Sequence, residues 1–137
     1  MRNFIGQLKA ILNRDGFVPE KLAAIRPPFN HMMEDSTWLP GEFRRTPEEV
    51  GIGAGIANWL LYRNTNGTLS LAALVLPPRA VTPVHDHLTW SLVGLYVGEQ
   101  DEEVFEPDAP IDQDDKHANL KLVTKNHLKV GSFYELI

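Results

Sequence analysis

Apolar residues recur three or four positions apart over residues 4–12, which predicts an amphipathic helix at the start of the chain. Pro19 favours the start of a second helix, because proline is well tolerated in the first helical turn. The pair Pro27-Pro28 is expected to end that helix, since neither nitrogen carries a hydrogen to donate. A short helical turn is predicted for residues 29–35. The N-terminal third of the chain is therefore predicted to be helical.

From about residue 56, short apolar and polar runs separated by turn residues predict β-strands. Asn66-Gly67 is the strongest turn signal in the chain and predicts a hairpin. A polar loop is expected over residues 107–117. The predicted strands cover residues 57–63, 68–76, 81–87, 90–97, 99–106, 120–128 and 132–137.

Helices followed by many short strands indicate a mainly β protein with N-terminal helices, whose strands form an antiparallel barrel or jelly roll. The length of 137 residues fits a single domain. Its helical lobe is predicted to span residues 1–55 and its β-barrel residues 56–137. A small barrel opens at one end, where inward side chains can hold a metal ion and one small ligand.

Composition narrows the range of functions. The chain has no cysteine, which excludes disulfides, Cys-ligated metal sites and a Cys nucleophile. The net charge is −5 and the acidic excess lies in residues 69–137, so nucleic-acid binding is not expected. No apolar run has the length of a membrane span and no signal-peptide pattern occurs. A cytoplasmic protein without membrane contact is therefore expected.

The tripeptide His85-Asp86-His87 carries the clearest chemical signal. On the predicted strand 81–87, residues two apart project to the same face, so both imidazoles are expected to point together while Asp86 points away. Neutral imidazoles suit Fe, Zn, Cu or Ni better than Mg or Ca. The alternative is a pair of histidines that alternate on a strand and bind no metal.

Residues 82–98 resemble the first metal motif of the cupin superfamily. That motif contains Gly, five residues, His-x-His, three or four residues, Glu, six residues and a closing Gly. Gly98 stands at the closing glycine. Two positions depart from the motif: Arg79 replaces the opening glycine, and Ser91 or Leu92 stands in place of the Glu ligand. The resemblance implies a cupin double-stranded β-helix.

In lacking this Glu, the segment is similar to the thiol dioxygenases of the cysteine dioxygenase type. These enzymes also lack the Glu and hold Fe(II) with three His. This resemblance implies Fe(II) bound by His85, His87 and a third His. Residues 61–64 resemble the segment in which these enzymes carry an Arg that pairs with the substrate carboxylate, which implies that role for Arg63. The alternative for Arg63 is an ion pair with the acidic strand 99–106. The implied partners are dioxygen and a small thiol carboxylic acid.

In these enzymes the third His follows a stretch like residues 129–137, where this sequence stops, and a catalytic Tyr also comes later. We therefore expect a C-terminally shortened cupin that lacks the third ligand. His127 is an alternative ligand, although its charged neighbours are typical of a solvated strand. His31 and His117 are expected to be surface residues.

Two other kinds of function remain open. The first is another metal-dependent cupin enzyme with the same fold but a different reaction, such as a three-His dioxygenase of diketones or a zinc- or nickel-dependent cupin. The other is a non-catalytic small-molecule-binding cupin, or a fragment whose sheet a partner chain completes by strand addition. A homodimer is compatible with all of these.

Overall fold

A computed structural model of the chain describes residues 1–49, 55–87, 89–109 and 118–136. The described residues are mainly β-sheet with two N-terminal helices, as the sequence predicts. No described helix is both long and apolar enough to cross a bilayer. In chain order the elements are α1 (Arg2–Leu12), α2 (Val18–Glu34), a short 3₁₀ helix (Gly41–Arg44), β1 (Ala57–Arg63), β2 (Ser70–Val75), β3 (Ser91–Gly94), β4 (Glu99–Pro107), β5 (Leu120–Lys129) and β6 (Phe133–Leu136).

The strands pair as three antiparallel two-stranded sheets, β1–β2, β3–β6 and β4–β5. Across the described ranges these sheets do not close into a barrel. The chain divides into two compact units, one comprising Met1 and Ser36–Pro83 and the other comprising Arg2–Asp35 and Val84–Ile137. The single domain over residues 1–137 stays a prediction.

In the first unit, the hairpin β1–β2 forms at the predicted turn. The N–H of Gly67 donates to the carbonyl oxygen of Asn64 at 3.1 Å, and Gly67 has a φ of 73°, a conformation that glycine adopts without steric cost. Trp59 on β1 packs edge-on against Phe43 of the 3₁₀ helix, with ring centroids 6.1 Å apart. The Trp59 indole N–H also donates to the carbonyl oxygen of Arg45 at 3.2 Å. These contacts tie the hairpin to the segment that precedes it.

In the second unit, α2 continues through Pro27-Pro28 to Glu34, so the prediction that these prolines end the helix is wrong. The helix positions that bury apolar side chains explain the difference, because they recur with helical spacing on both sides of the proline pair. Packing of that continuous face outweighs the backbone hydrogen bonds that the prolines remove. The buried residues are Leu22, Ile25, Phe29, Met32 and Met33.

Helix α2 covers one face of the β3–β6 sheet. Its Phe29 ring meets the Phe133 ring edge-on at 6.1 Å. Gly94, which pairs with Phe133, allows this close approach, since a Cβ atom there would lie 2.8 Å from the Phe29 ring. Two residues along β6, Glu135 accepts two hydrogen bonds from the guanidinium of Arg26, at 2.5 and 2.7 Å. Because side chains alternate along a strand, Tyr134, which lies between Phe133 and Glu135, is directed to the face of the sheet away from α2.

Candidate metal centre

Residues 81–87 form no strand, so the predicted strand in this segment is wrong. The segment includes Pro83 and follows Pro77-Pro78, and proline cannot donate to a sheet ladder. All seven residues are exposed, His85, Asp86 and His87 among them. Strand alternation therefore does not explain how the two imidazoles are arranged.

The imidazoles of His85 and His87 nevertheless lie side by side. Their ring centroids are 5.2 Å apart and the ring planes meet at 44°. With a metal–nitrogen bond of about 2.1 Å, the ring centres of two imidazoles on one ion lie roughly 4.5–5.3 Å apart at octahedral to tetrahedral angles. The observed separation falls in that range. The separation of the two rings is therefore compatible with two neighbouring positions around one metal ion.

The backbone at the two glycine positions of the cupin motif is left-handed. Gly98, at the closing position, has a φ of 82°. Arg79, at the opening position, has a φ of 66° and is the one non-glycine residue of the described chain with a positive φ. Side chains with a Cβ atom disfavour this region. Position 79 thus has a backbone conformation that favours glycine, although it carries an arginine.

Within the part of the chain that the structure describes, no third ligand is found for the pair. Among the described ranges, no group of three His, Asp or Glu side chains is arranged to hold a metal ion. His127 lies on β5, where its Nδ1 atom is 2.7 Å from an Asp101 carboxylate oxygen and its Nε2 atom is 3.7 Å from one of Glu99. His31 is exposed on α2, as expected. His117 and most of the predicted loop 107–117 lie outside the described residues.

Arg63 ends β1 and is exposed, in the first compact unit. Its guanidinium lies over the hairpin turn, because a Cβ atom on Gly67 would be 3.0 Å from its Nη2 atom. The histidine pair belongs to the second unit. The role of Arg63 at the carboxylate of a substrate stays a prediction.

Residues 99–106, predicted as an acidic strand, differ between the two faces of that strand, and the sequence did not predict this difference. The phenol of Tyr134 on β6 is hydrogen-bonded to Glu102 and Gln100 of β4. Partial burial, followed by the negative charge of Glu102, raises the pKa of Tyr134 above its ordinary value. Strand alternation predicts that Gln100 and Glu102 lie on the same face of β4. Only the tertiary structure shows that this face contacts Tyr134.

No protein-family model matches the chain. Membership of the cupin superfamily therefore stays a prediction that depends on the motif at residues 79–98.

Proposed function

We propose that this protein is an Fe(II)-dependent thiol dioxygenase of the cupin type, which oxidises a small thiol carboxylic acid of the cysteine or 3-mercaptopropionate kind to the sulfinic acid. One observation carries the proposal: the imidazoles of His85 and His87 stand 5.2 Å apart within the segment that resembles the cupin metal motif. The left-handed backbone at Arg79 and Gly98 supports the same motif.

His85 and His87 would hold the metal through neutral ring nitrogens, which are good ligands for Fe(II). When bound, Fe(II) supplies the redox chemistry by which both oxygen atoms of dioxygen are transferred to the thiol sulfur. This four-electron oxidation to the sulfinic acid consumes all four oxidising equivalents of dioxygen, so no separate reductant is needed. A cytoplasmic location suits this activity, because thiols stay reduced there.

Arg63 is proposed to bind the carboxylate of the substrate. A guanidinium donates two parallel hydrogen bonds to a carboxylate, and this geometry fixes the orientation of the substrate as well as its affinity. Replacement of Arg63 by Lys is expected to raise the KM for thiol acids more than it lowers kcat. For a thiol substrate without a carboxylate, the same replacement should change the KM little.

The proposal requires a third donor, since two imidazoles bind Fe(II) weakly. The resemblance places that donor, a His, on a strand after residues 129–137. Intact-mass measurement of the polypeptide from its natural source would show whether further residues follow Ile137. The activity assay uses that natural polypeptide.

Oxygen uptake tests the activity directly. The protein is reconstituted anaerobically with Fe(II), then mixed with cysteine or 3-mercaptopropionate in aerated buffer, and the sulfinic acid is quantified. We expect one dioxygen consumed per sulfinic acid formed, and no uptake by the His85→Ala variant. His31→Ala, which removes an exposed imidazole on α2, is the matched control. Absence of thiol-dependent uptake by the wild-type protein contradicts the proposal, and metal analysis of purified protein separates it from zinc or nickel enzymes.

A further inference from the structure

The two faces of the β4–β5 hairpin differ in how their charges are paired. On one face of β4 stand Glu99, Asp101 and Glu103, and each of these has a basic side chain of β5 within 4 Å. The Nδ1 atom of His127 lies 2.7 Å from an Asp101 carboxylate oxygen, and its Nε2 atom lies 3.7 Å from one of Glu99. The Lys125 ammonium nitrogen lies 2.5 Å from a Glu103 carboxylate oxygen. Each carboxylate of this face thus has a basic side chain of β5 nearby, with two basic side chains shared among three carboxylates.

The opposite face carries polar residues where a packed sheet usually carries apolar ones. Gln100 and Glu102 of β4 and Asn126 of β5 are partly buried, unlike their outward neighbours. The Asn126 amide donates to Glu102 Oε2 at 2.8 Å. Tyr134 approaches from β6, on the face of the β3–β6 sheet opposite α2. Four polar side chains therefore converge on the inner face of this hairpin.

Glu102 is the carboxylate of this group, and its charge is not balanced. Within the described parts of the chain, no Lys, Arg or His forms an ion pair with Glu102. Its partners are an amide and a phenol, which are neutral. The hydrogen bonds from these neutral groups leave the negative charge of Glu102 without an ion-pair partner, and a cation placed beside it would supply one.

We infer that Glu102, with Gln100, Asn126 and Tyr134, forms a binding site for the primary ammonium group of a small organic ligand. An ammonium group carries one positive charge and three N–H donors. The site offers the Glu102 carboxylate together with the amide oxygens of Gln100 and Asn126 and the hydroxyl oxygen of Tyr134, all of which accept hydrogen bonds. The partial exposure of all four side chains leaves the site open to a small molecule.

The same residues also have a purely structural interpretation, as a polar link between two sheets. The two interpretations differ in the ligand, since a structural link predicts no saturable binding of ammonium compounds. The site also does not depend on a metal at His85 and His87. It can therefore be tested on metal-free protein, separately from the proposed oxidation.

Titration with ethylammonium chloride, followed by NMR at pH 7 and constant ionic strength, tests the site. The side-chain amide signals of Gln100 and Asn126 are expected to shift and saturate. Ethanol, a neutral molecule of the same size, should produce no such shift. Calcium and potassium chloride are titrated in parallel. Saturation by either metal ion without saturation by ethylammonium overturns the inference, as does the absence of any saturable shift.

Variants give the second arm of the test. Glu102→Gln keeps the shape of the side chain but removes its charge, and it is expected to weaken ethylammonium binding by at least about tenfold. Glu103→Gln removes a carboxylate from the paired outer face and should leave the affinity unchanged. Tyr134→Phe keeps the charge and removes one acceptor, so a smaller loss is expected, and it serves as the test if Glu102→Gln does not fold. Equal affinities in wild type, Glu102→Gln and Tyr134→Phe contradict the inference.

Discussion

At the scale of single residues, Arg79 is in a backbone conformation that suits glycine. Its φ of 66° costs an L-residue roughly 1–2 kcal/mol, of which the greater flexibility of unfolded glycine cancels a part. We therefore expect Arg79→Gly to raise the free energy of unfolding by about 0.5–1 kcal/mol, measured by urea denaturation. Arg45→Gly is the control, because Arg45 is also exposed but has a φ of −100°. That control should lower stability, and equal effects of the two substitutions would argue against strain at position 79.

The imidazole pair leads to a second prediction at this scale. If His85 and His87 bind one ion together, each Ala substitution should weaken Co²⁺ binding by about tenfold or more, and the double variant should abolish it. Absorption bands of bound Co²⁺ give the measurement. His127→Ala serves as the control, since that imidazole lies between Asp101 and Glu99. Wild-type affinity in either single variant would show that the two rings do not act as one site.

At the scale of elements, the contact between α2 and the β3–β6 sheet depends on the absence of a side chain at Gly94. A Cβ atom there would lie 2.8 Å from the Phe29 ring and 3.0 Å from the Met33 methyl group. Gly94→Ala is therefore expected to lower the free energy of unfolding by about 1–3 kcal/mol. Thermal and urea denaturation provide the measurement.

Gly6→Ala is the matched control for this substitution. Gly6 lies inside α1, and nothing stands within 4 Å of a Cβ atom built there. Alanine has the higher helix propensity, so this change should raise stability by about 0.5–1 kcal/mol. Opposite signs at the two glycines are the expected result. A stabilising Gly94→Ala would mean that α2 does not pack closely on β3.

The same packing explains why α2 could not be delimited from local signals. Pro27 and Pro28 are strong helix breakers, and reasoning from the backbone alone ends the helix there. The apolar residues beyond them continue the helical spacing, and Phe29 is buried against Phe4 and Phe133. Helix length was decided by those contacts, which are absent from any local window of the sequence.

At the scale of the whole molecule, acid should destabilise the protein partly through one ion pair. Hydrogen bonds from Arg26 hold the pKa of Glu135 below its ordinary value of 4.5. A carboxyl group with a lowered pKa in the folded state contributes stability above its unfolded pKa and loses that contribution as pH falls through the folded pKa. We expect Glu135→Gln to lose stability at pH 7 and to show a smaller further loss between pH 5 and pH 3 than the wild type.

Urea denaturation at a series of pH values measures this difference. Glu48→Gln, which removes a carboxylate from an exposed turn, should leave the pH dependence close to that of the wild type. An unchanged pH profile in Glu135→Gln would show that the Arg26 pair does not contribute to acid stability. The Arg26 pair joins residues 109 positions apart in the sequence, and for that reason no sequence pattern predicts it.

Local chemistry was enough to predict the N-terminal helices, the hairpin at Asn66-Gly67 and most strands, because turn preference and residue periodicity act over a few neighbouring positions. The tripeptide His85-Asp86-His87 is also visible in the sequence, and its role as part of a metal motif stays a prediction. The lack of a strand at residues 81–87 follows a local signal, Pro83, which outweighs the pattern that predicted a strand there. The tertiary structure alone decided two other features: the continuation of α2 beyond its prolines and the convergence of Glu102 with Tyr134. Each of these depends on which distant segment packs or pairs with the residues concerned, and long-range contacts leave no periodic signal in the sequence.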